Sequence, residues 1–134
     1  MKKVTFFITS MSSGGAEHQM AELTKLLVKE MYEVTIVTFA DVSDHYILDS
    51  KVKRVTLAKG KNSFIKLLTI FKFFLFLKTD CIISFGQREN LLVLIPLIFR
   101  PSVKVIAGER NFTYGKQDKI ERILFYFSSQ SLAH

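Results

Sequence analysis

The chain has one cysteine, no histidine pair at ligand spacing and no uncharged apolar run long enough to cross a bilayer. A single thiol makes neither an internal disulfide nor a cysteine-based metal cluster. Cys81 sits in the apolar stretch Cys81–Phe85, which reads as a buried residue of a cytoplasmic protein. His18, His45 and His134 are scattered, so no metal site is expected. No Gly-Lys-Ser or Gly-Lys-Thr follows the glycine pair at 14 and 15, which excludes a Walker-type P-loop. The dinucleotide fingerprint finds one glycine of three, in the register Ser10, Ser12, Gly15, so an NAD- or FAD-binding domain is the less favoured alternative. The apolar run Val4–Ile8 behind Lys2 and Lys3 is too short for the core of a signal peptide. Repeats, low-complexity tracts and interdomain linkers are also missing, so the 134 residues read as one domain.

Acidic residues are absent from one long segment. Between Lys51 and Lys78 stand eight basic residues (Lys51, Lys53, Arg54, Lys59, Lys61, Lys66, Lys72 and Lys78) and no aspartate or glutamate. The whole-chain charge is +7, so this segment carries the imbalance and marks where an anionic partner would be met. Hydrophobic residues make up 49% of the chain, enough for a sizeable core and too many for disorder.

Strand and helix patterns alternate. Val4–Ile8 predicts a buried first strand, and residues 16 to 30 a helix with Met20, Leu23, Leu26, Leu27 and Met31 on one face. Residues 33–39 alternate as a second strand, 40–50 are loop-like, and 52–57 form a short third strand. A helix is expected over 63–78 with Ser63 as N-cap, and a fourth strand over 81–85. The polar stretch Gly86–Asn90 reads as a loop before a helix over 91–99, whose second half Pro96 unsettles. A fifth strand over 103–107 and a last helix over about 117–128 complete the pattern. Such alternation predicts an α/β fold: a Rossmann-like, doubly wound parallel sheet in three αβα layers. Ligands of these sheets gather at the carboxyl ends of the strands, where Ser12–Glu17, Gly86–Asn90 and Gly108–Asn111 would meet.

The first of these loops carries Gly14 and Gly15 between a strand and a helix. Glycines allow a tight turn and close backbone approach, and a helix N-terminus offers unpaired N–H groups to phosphate. The bland alternative is a simple strand-to-helix turn. The other two loops each place Arg, Glu and Asn side chains after a glycine. These residues suit sugar hydroxyls or phosphates, and a partly buried Glu109 is a candidate base. Mutual pairing or helix capping is the competing reading. Asp41 is either a ribose ligand or a loop aspartate.

The helix over 63–78 is apolar nearly all round. Phe64, Leu67, Leu68, Phe71, Phe74 and Leu75 share a face suited to the core. Ile65, Ile70, Phe73, Phe76 and Leu77 occupy the other side, interrupted by Lys66 and Lys72. Such a helix suits an anionic membrane surface or a partner protein, and deep burial is the alternative. Membrane contact is placed first because the acid-free basic segment coincides with it. Nucleic acid ranks below, since the phenylalanines do not form a polar stacking platform.

In order and spacing, Ser13-Gly-Gly-Ala-Glu17, Glu33–Thr38, Ile82-Ile-Ser-Phe-Gly86 with Asn90, and Val105–Asn111 resemble the N-terminal half of GT-B glycosyltransferases of the retaining, family 4 type. The likeness spans nearly the whole chain. It implies one half of a two-domain architecture, acceptor-side, with a nucleotide sugar as co-substrate and neither cofactor nor metal. By this resemblance Gly14 and Gly15 lie against the donor diphosphate, and His18, Arg88, Asn90, Glu109, Arg110 and Asn111 line the acceptor side. Lys66, Lys72, Phe73 and Phe76 would face the membrane, making the protein peripheral at its cytoplasmic face. The donor-binding domain and its glutamates are absent from the sequence, which stops at Ser131-Leu-Ala-His134. The implied partner is therefore that domain or a separate chain supplying it, and the chain alone is expected to be inactive. A non-catalytic, membrane-anchoring subunit of a split glycosyltransferase is the second expectation.

Overall fold

Val4 to Ile8 is apolar at four of five positions, a pattern tolerated only by a strand covered on both faces. A computed structural model describes residues 1–40, 42–57 and 62–108 and places this strand at the centre of the sheet. The elements are β1 (Lys3–Ile8), α1 (Gly15–Lys29), β2 (Glu33–Thr38), β3 (Lys53–Thr56), α2 (Ser63–Phe76), β4 (Cys81–Phe85), α3 (Gln87–Leu97) and β5 (Lys104–Gly108). All five strands are parallel, in the order β3-β2-β1-β4-β5. Phe6 lies opposite Ile36 on one side and Ile83 on the other. The fold is a Rossmann-like, three-layer αβα sheet, as the alternation predicts.

The alternation of side chains along β1 builds two cores. Val4, Phe6 and Ile8 join Val34, Ile36 and Ile83 against Met20, Ala21 and Val28 of α1. Phe7 turns to the other face and meets Val37, Ile82 and Val105 beneath α2 and α3. There Phe74 packs edge-on to Phe7, with ring centroids 4.8 Å apart. Phe6 and Phe7 are fully buried, each worth roughly 1.5–3 kcal/mol in apolar burial. Polar groups inside are paired: Thr5 bonds Thr79 at 3.0 Å, and Thr24 donates to the Ala21 carbonyl at 2.7 Å. No buried side-chain polar atom among the described residues lacks a partner.

The apolar face expected for α1 is only partly the buried one: Met20 is buried, whereas Leu26 and Met31 are exposed. Three details of the α2 and α3 layer also differ from expectation. The N-cap of α2 is Asn62, whose Oδ1 accepts from the Ile65 N–H at 2.9 Å, so Ser63 is the first helical residue instead. The core face of α2 is also turned. Ile70 and Phe74 are buried with Phe73 and Leu77 beside them, while Phe64 (70% exposed), Leu67 and Leu68 lie outside. In a helix apolar nearly all round, composition cannot choose the inner face, and packing against Phe7 and α3 decides it. Third, α3 begins at Gln87, four residues before the predicted start, because its first turn is polar at the open edge of the sheet. It runs through Pro96 and stops one residue later. The connection from β2 to β3 contains no helix among its described residues, as anticipated. The predicted last helix over 117–128 and Asp41 fall outside the described residues.

Two helix ends have specific closures. At the end of α1, Tyr32 N–H donates to the Leu27 carbonyl at 3.0 Å and Met31 N–H to Val28 at 3.1 Å, a Schellman arrangement. Its left-handed position is held by Met31 at φ 66°, where glycine is usual. Arg100, just beyond α3, donates from its guanidinium to the Phe74 carbonyl at 3.0 Å and to that of Leu77, closing the end of α2. Met31→Gly is expected to stabilise the fold by about 0.5–1 kcal/mol, since the side chain is exposed and the backbone strain is released. Arg100→Met is expected to cost about 1–3 kcal/mol by leaving those carbonyls unpaired. Urea denaturation of the two variants checks both signs.

Candidate functional site

The strand order reverses direction between β1 and β4, so the crevice of this sheet opens at their carboxyl ends. Two helix heads flank it. Gly14 caps α1 and Gly86 caps α3, and in each helix a glutamate follows three residues later, Glu17 and Glu89. Both carboxylates fold back over their glycines, so that a methyl group added to Gly14 or Gly86 would overlap Glu17 or Glu89. The Thr9 hydroxyl, at the end of β1, donates to the Glu89 carboxylate across the crevice. Gly86 also has φ 111°, a backbone conformation that other residues adopt only with strain.

The two expected glycine loops do meet. The Gly108 carbonyl accepts from the Gly86 N–H at 3.1 Å and from Asn90 Nδ2 at 3.2 Å. The Asn90 Oδ1 accepts from the buried Ser84 hydroxyl at 2.6 Å. Asn90 therefore ties the ends of β4 and β5 to α3, and its amide is committed to the frame on both sides. Glu109, Arg110 and Asn111 lie outside the described residues.

A segment that looked featureless in sequence covers the glycine turn. His45 N–H donates to the Met11 carbonyl at 2.8 Å, and the Tyr46 hydroxyl to the Gly14 carbonyl at 3.1 Å. Arg54 holds the same segment through a two-pronged contact with Asp44, one arm at 2.9 Å, while its other nitrogen reaches Thr38 at 3.2 Å. His18 lies beside the Tyr46 ring at 5.3 Å and lines a shallow groove of about 380 Å³ with Leu23, Leu26 and Phe85. Glu22, at the rim of that groove, is held below the usual carboxylate range by its hydrogen bond to Lys25. Tyr46 and Thr9 were not predicted as site residues. Thr9 could have been found from its place at the end of the first strand, whereas Tyr46 carries no local signal.

Arg88 stands in the first turn of α3, its guanidinium 5.3 Å from the centre of the Phe39 ring. It does not border the His18 groove but a separate cavity of about 430 Å³, which it shares with Lys66 of α2. Lys72 and Phe76 are exposed on the outer side of α2, and Phe73 is half-buried, packed at a right angle on Phe74. Among the described residues no group of histidine, cysteine, aspartate and glutamate could hold a metal ion. Nor is any described helix long and apolar enough to cross a membrane.

No protein-family model matches the chain. It is similar to a curated glycosyltransferase. That protein, from Campylobacter jejuni, is named GalNAc-alpha-(1->4)-GalNAc-alpha-(1->3)-diNAcBac-PP-undecaprenol alpha-1,4-N-acetyl-D-galactosaminyltransferase. The identity is 32% over 133 residues, covering 92% of this chain and 36% of the relative. The chain thus spans about a third of the length of the protein it matches.

The glycine at the head of α3 gives a direct test of the crevice wall. Gly86→Ala combines a positive φ with a clash on Glu89 and is expected to destabilise the fold by about 1–3 kcal/mol. Thermal melts of the variant beside the unsubstituted chain check the loss.

Proposed function

We propose that the chain is the acceptor-side domain of a GT-B glycosyltransferase of the retaining, family 4 type. It would move a sugar from a nucleotide-sugar donor to a lipid-diphosphate-linked glycan. The similarity to the galactosaminyltransferase, over nearly the whole chain, carries this reading. The chain covers only a third of that relative, and a complete enzyme needs a second, donor-binding half, in the same polypeptide or in a partner chain. The crevice between β1 and β4 is the place for the chemistry, since the helix heads at Gly14 and Gly86 converge there.

In this reading the backbone N–H groups at Gly14 and Gly15 face the donor diphosphate once Glu17 swings aside. His18, with Glu109, Arg110 and Asn111 from the loop after β5, lines the acceptor side. Asn90 contributes by fixing that loop's starting point at Gly108. Glu109 is the candidate for proton transfer. The protein works peripherally, at the cytoplasmic membrane face. The outer side of α2 makes the contact through Phe76, Lys72 and Lys66, with Phe64, Leu67 and Leu68 adding apolar area and Phe73 anchoring the helix from beneath.

The division of labour predicts that the isolated chain transfers no sugar from a panel of nucleotide sugars to a polyprenyl-diphosphate glycan. Addition of the donor-binding half is expected to restore transfer. Turnover by the chain alone would overturn the half-enzyme reading, and binding of NAD in preference to nucleotide sugars would overturn the transferase reading itself.

A further inference from the structure

On the layer of α1 the sheet is only partly covered. α1 packs on β2, while β4 and β5 lie beyond it in the strand order. On this face Ile106, opposite Ile83 in the register, is 45% exposed, and Phe85 is half-buried. The groove of about 380 Å³ runs between α1 and Phe85, within the ~300–1,000 Å³ range of small-ligand pockets. Its other walls are His18, Gln19, Glu22, Leu23 and Leu26, from successive turns of α1.

This groove opens into the crevice. His18 stands in the first turn of α1, its N–H donating to the Gly14 carbonyl at 3.0 Å. Phe85 is the last residue of β4, directly before Gly86. A guest in the groove therefore reaches both helix heads. The Phe85 ring lies across Gly108 at the end of β5, where a methyl group on that residue would overlap it. The glycine clears the space that the ring occupies.

The lining is apolar on one side and hydrogen-bonding on the other. Leu23 is half-buried and Leu26 is 60% exposed, and an apolar patch rimmed by polar groups marks a binding surface. Among the described residues nothing bonds the Gln19 amide or the His18 ring nitrogens. Tyr46 steadies the His18 ring from 5.3 Å away. Glu22 gives one oxygen to Lys25 at 2.7 Å, which leaves the other to accept. A hexose matches this division. Its C–H face packs on an aromatic ring, and its hydroxyls bond amide, imidazole and carboxylate groups. The leucines ask for something that a plain hexose lacks. An acetamido substituent brings a methyl group for them and an amide for Gln19.

We propose that this groove holds one N-acetylated hexose of the acceptor glycan, stacked on the Phe85 ring. Its acetamido methyl lies against Leu23 and Leu26, and Gln19, His18 and Glu22 bond its polar edge. The inference rests on the acceptor reading above for placing a glycan here. It adds the kind of sugar and the residues that recognise it.

The test is saturation-transfer NMR of the chain with four methyl glycosides, those of N-acetylglucosamine, N-acetylgalactosamine, glucose and galactose. An acetylated sugar is expected to bind about fourfold more tightly than its plain counterpart, the worth of one buried methyl group. Its acetyl methyl is expected to be the most strongly saturated signal. Phe85→Leu keeps apolar volume beside α1 but removes the flat ring, and it is expected to weaken binding about tenfold. Phe85→Tyr is expected to retain binding. Gln19→Ala, at an exposed position outside the core, is expected to lose most of the preference for the acetylated sugars. That variant keeps the test meaningful if Phe85→Leu folds poorly. Absence of saturation transfer, equal binding of acetylated and plain sugars, or unchanged binding in both variants would overturn the proposal. So would a dimer in sedimentation that Leu26→Glu dissolves, since the groove would then be an interface between two copies. Sugar binding as expected, with no transfer by the assembled enzyme, would count against the transferase reading alone.

Discussion

The geometry of the crevice follows from one constraint: β1 is hydrogen-bonded in parallel to strands on both sides, β2 and β4. A strand in that position can expose neither face, so Phe6 and Phe7 must point into different cores. Parallel neighbours also require crossovers that return over the sheet, and the right-handed rule sends α1 to one layer and α2 with α3 to the other. The chain leaves β1 toward α1 and leaves β4 toward α3 in opposite directions. A gap between the two helix heads is the unavoidable result. The crevice is thus a property of connectivity before it is a property of any side chain.

The second layer has a different logic. α2 and α3 pack side by side, α3 against β4, β1 and β5 and α2 with its Phe74 on Phe7 of β1, yet α2 offers more apolar surface than the sheet can cover. Ile70 and Phe74 satisfy the core with Phe73 and Leu77 packed beside them, while Phe64, Ile65, Leu67, Leu68 and Phe76 are exposed. Arg100 fixes the far end of α2, and Asn62 caps the near end. The outward apolar stripe is therefore held on a helix closed at both ends, which a fraying helix end would not provide.

Most of the frame was legible in the sequence because its signals are local. Alternation gave the strands, 3-4 spacing gave α1, and Gly86 and Gly108 marked strand ends. The inner face of α2 was not legible, since Phe64 and Phe74 are the same residue type and only the tertiary partner decides between them. The start of α3 was missed for a related reason: Gln87 to Asn90 are polar because they sit at an open edge, and polarity alone mimics a loop. At the site, the convergence of Gly86 with Gly108 was readable from the fold class, and so was the crevice. The Tyr46 clasp on Gly14 and the pairing of Lys66 with Arg88 were not. Each joins residues more than twenty positions apart through a segment without regular structure or across two helices.

Glu17 and Glu89 give the crevice a resting charge of its own. Each carboxylate rests on the glycine at a helix head, where an incoming anion would otherwise find vacant positive potential. In the proposed function, a diphosphate arriving at either helix head would have to displace a tethered carboxylate that never diffuses away and competes at a fixed local concentration. On that proposal the two glutamates set a threshold, a measure of how strongly a guest must be held before it takes their place.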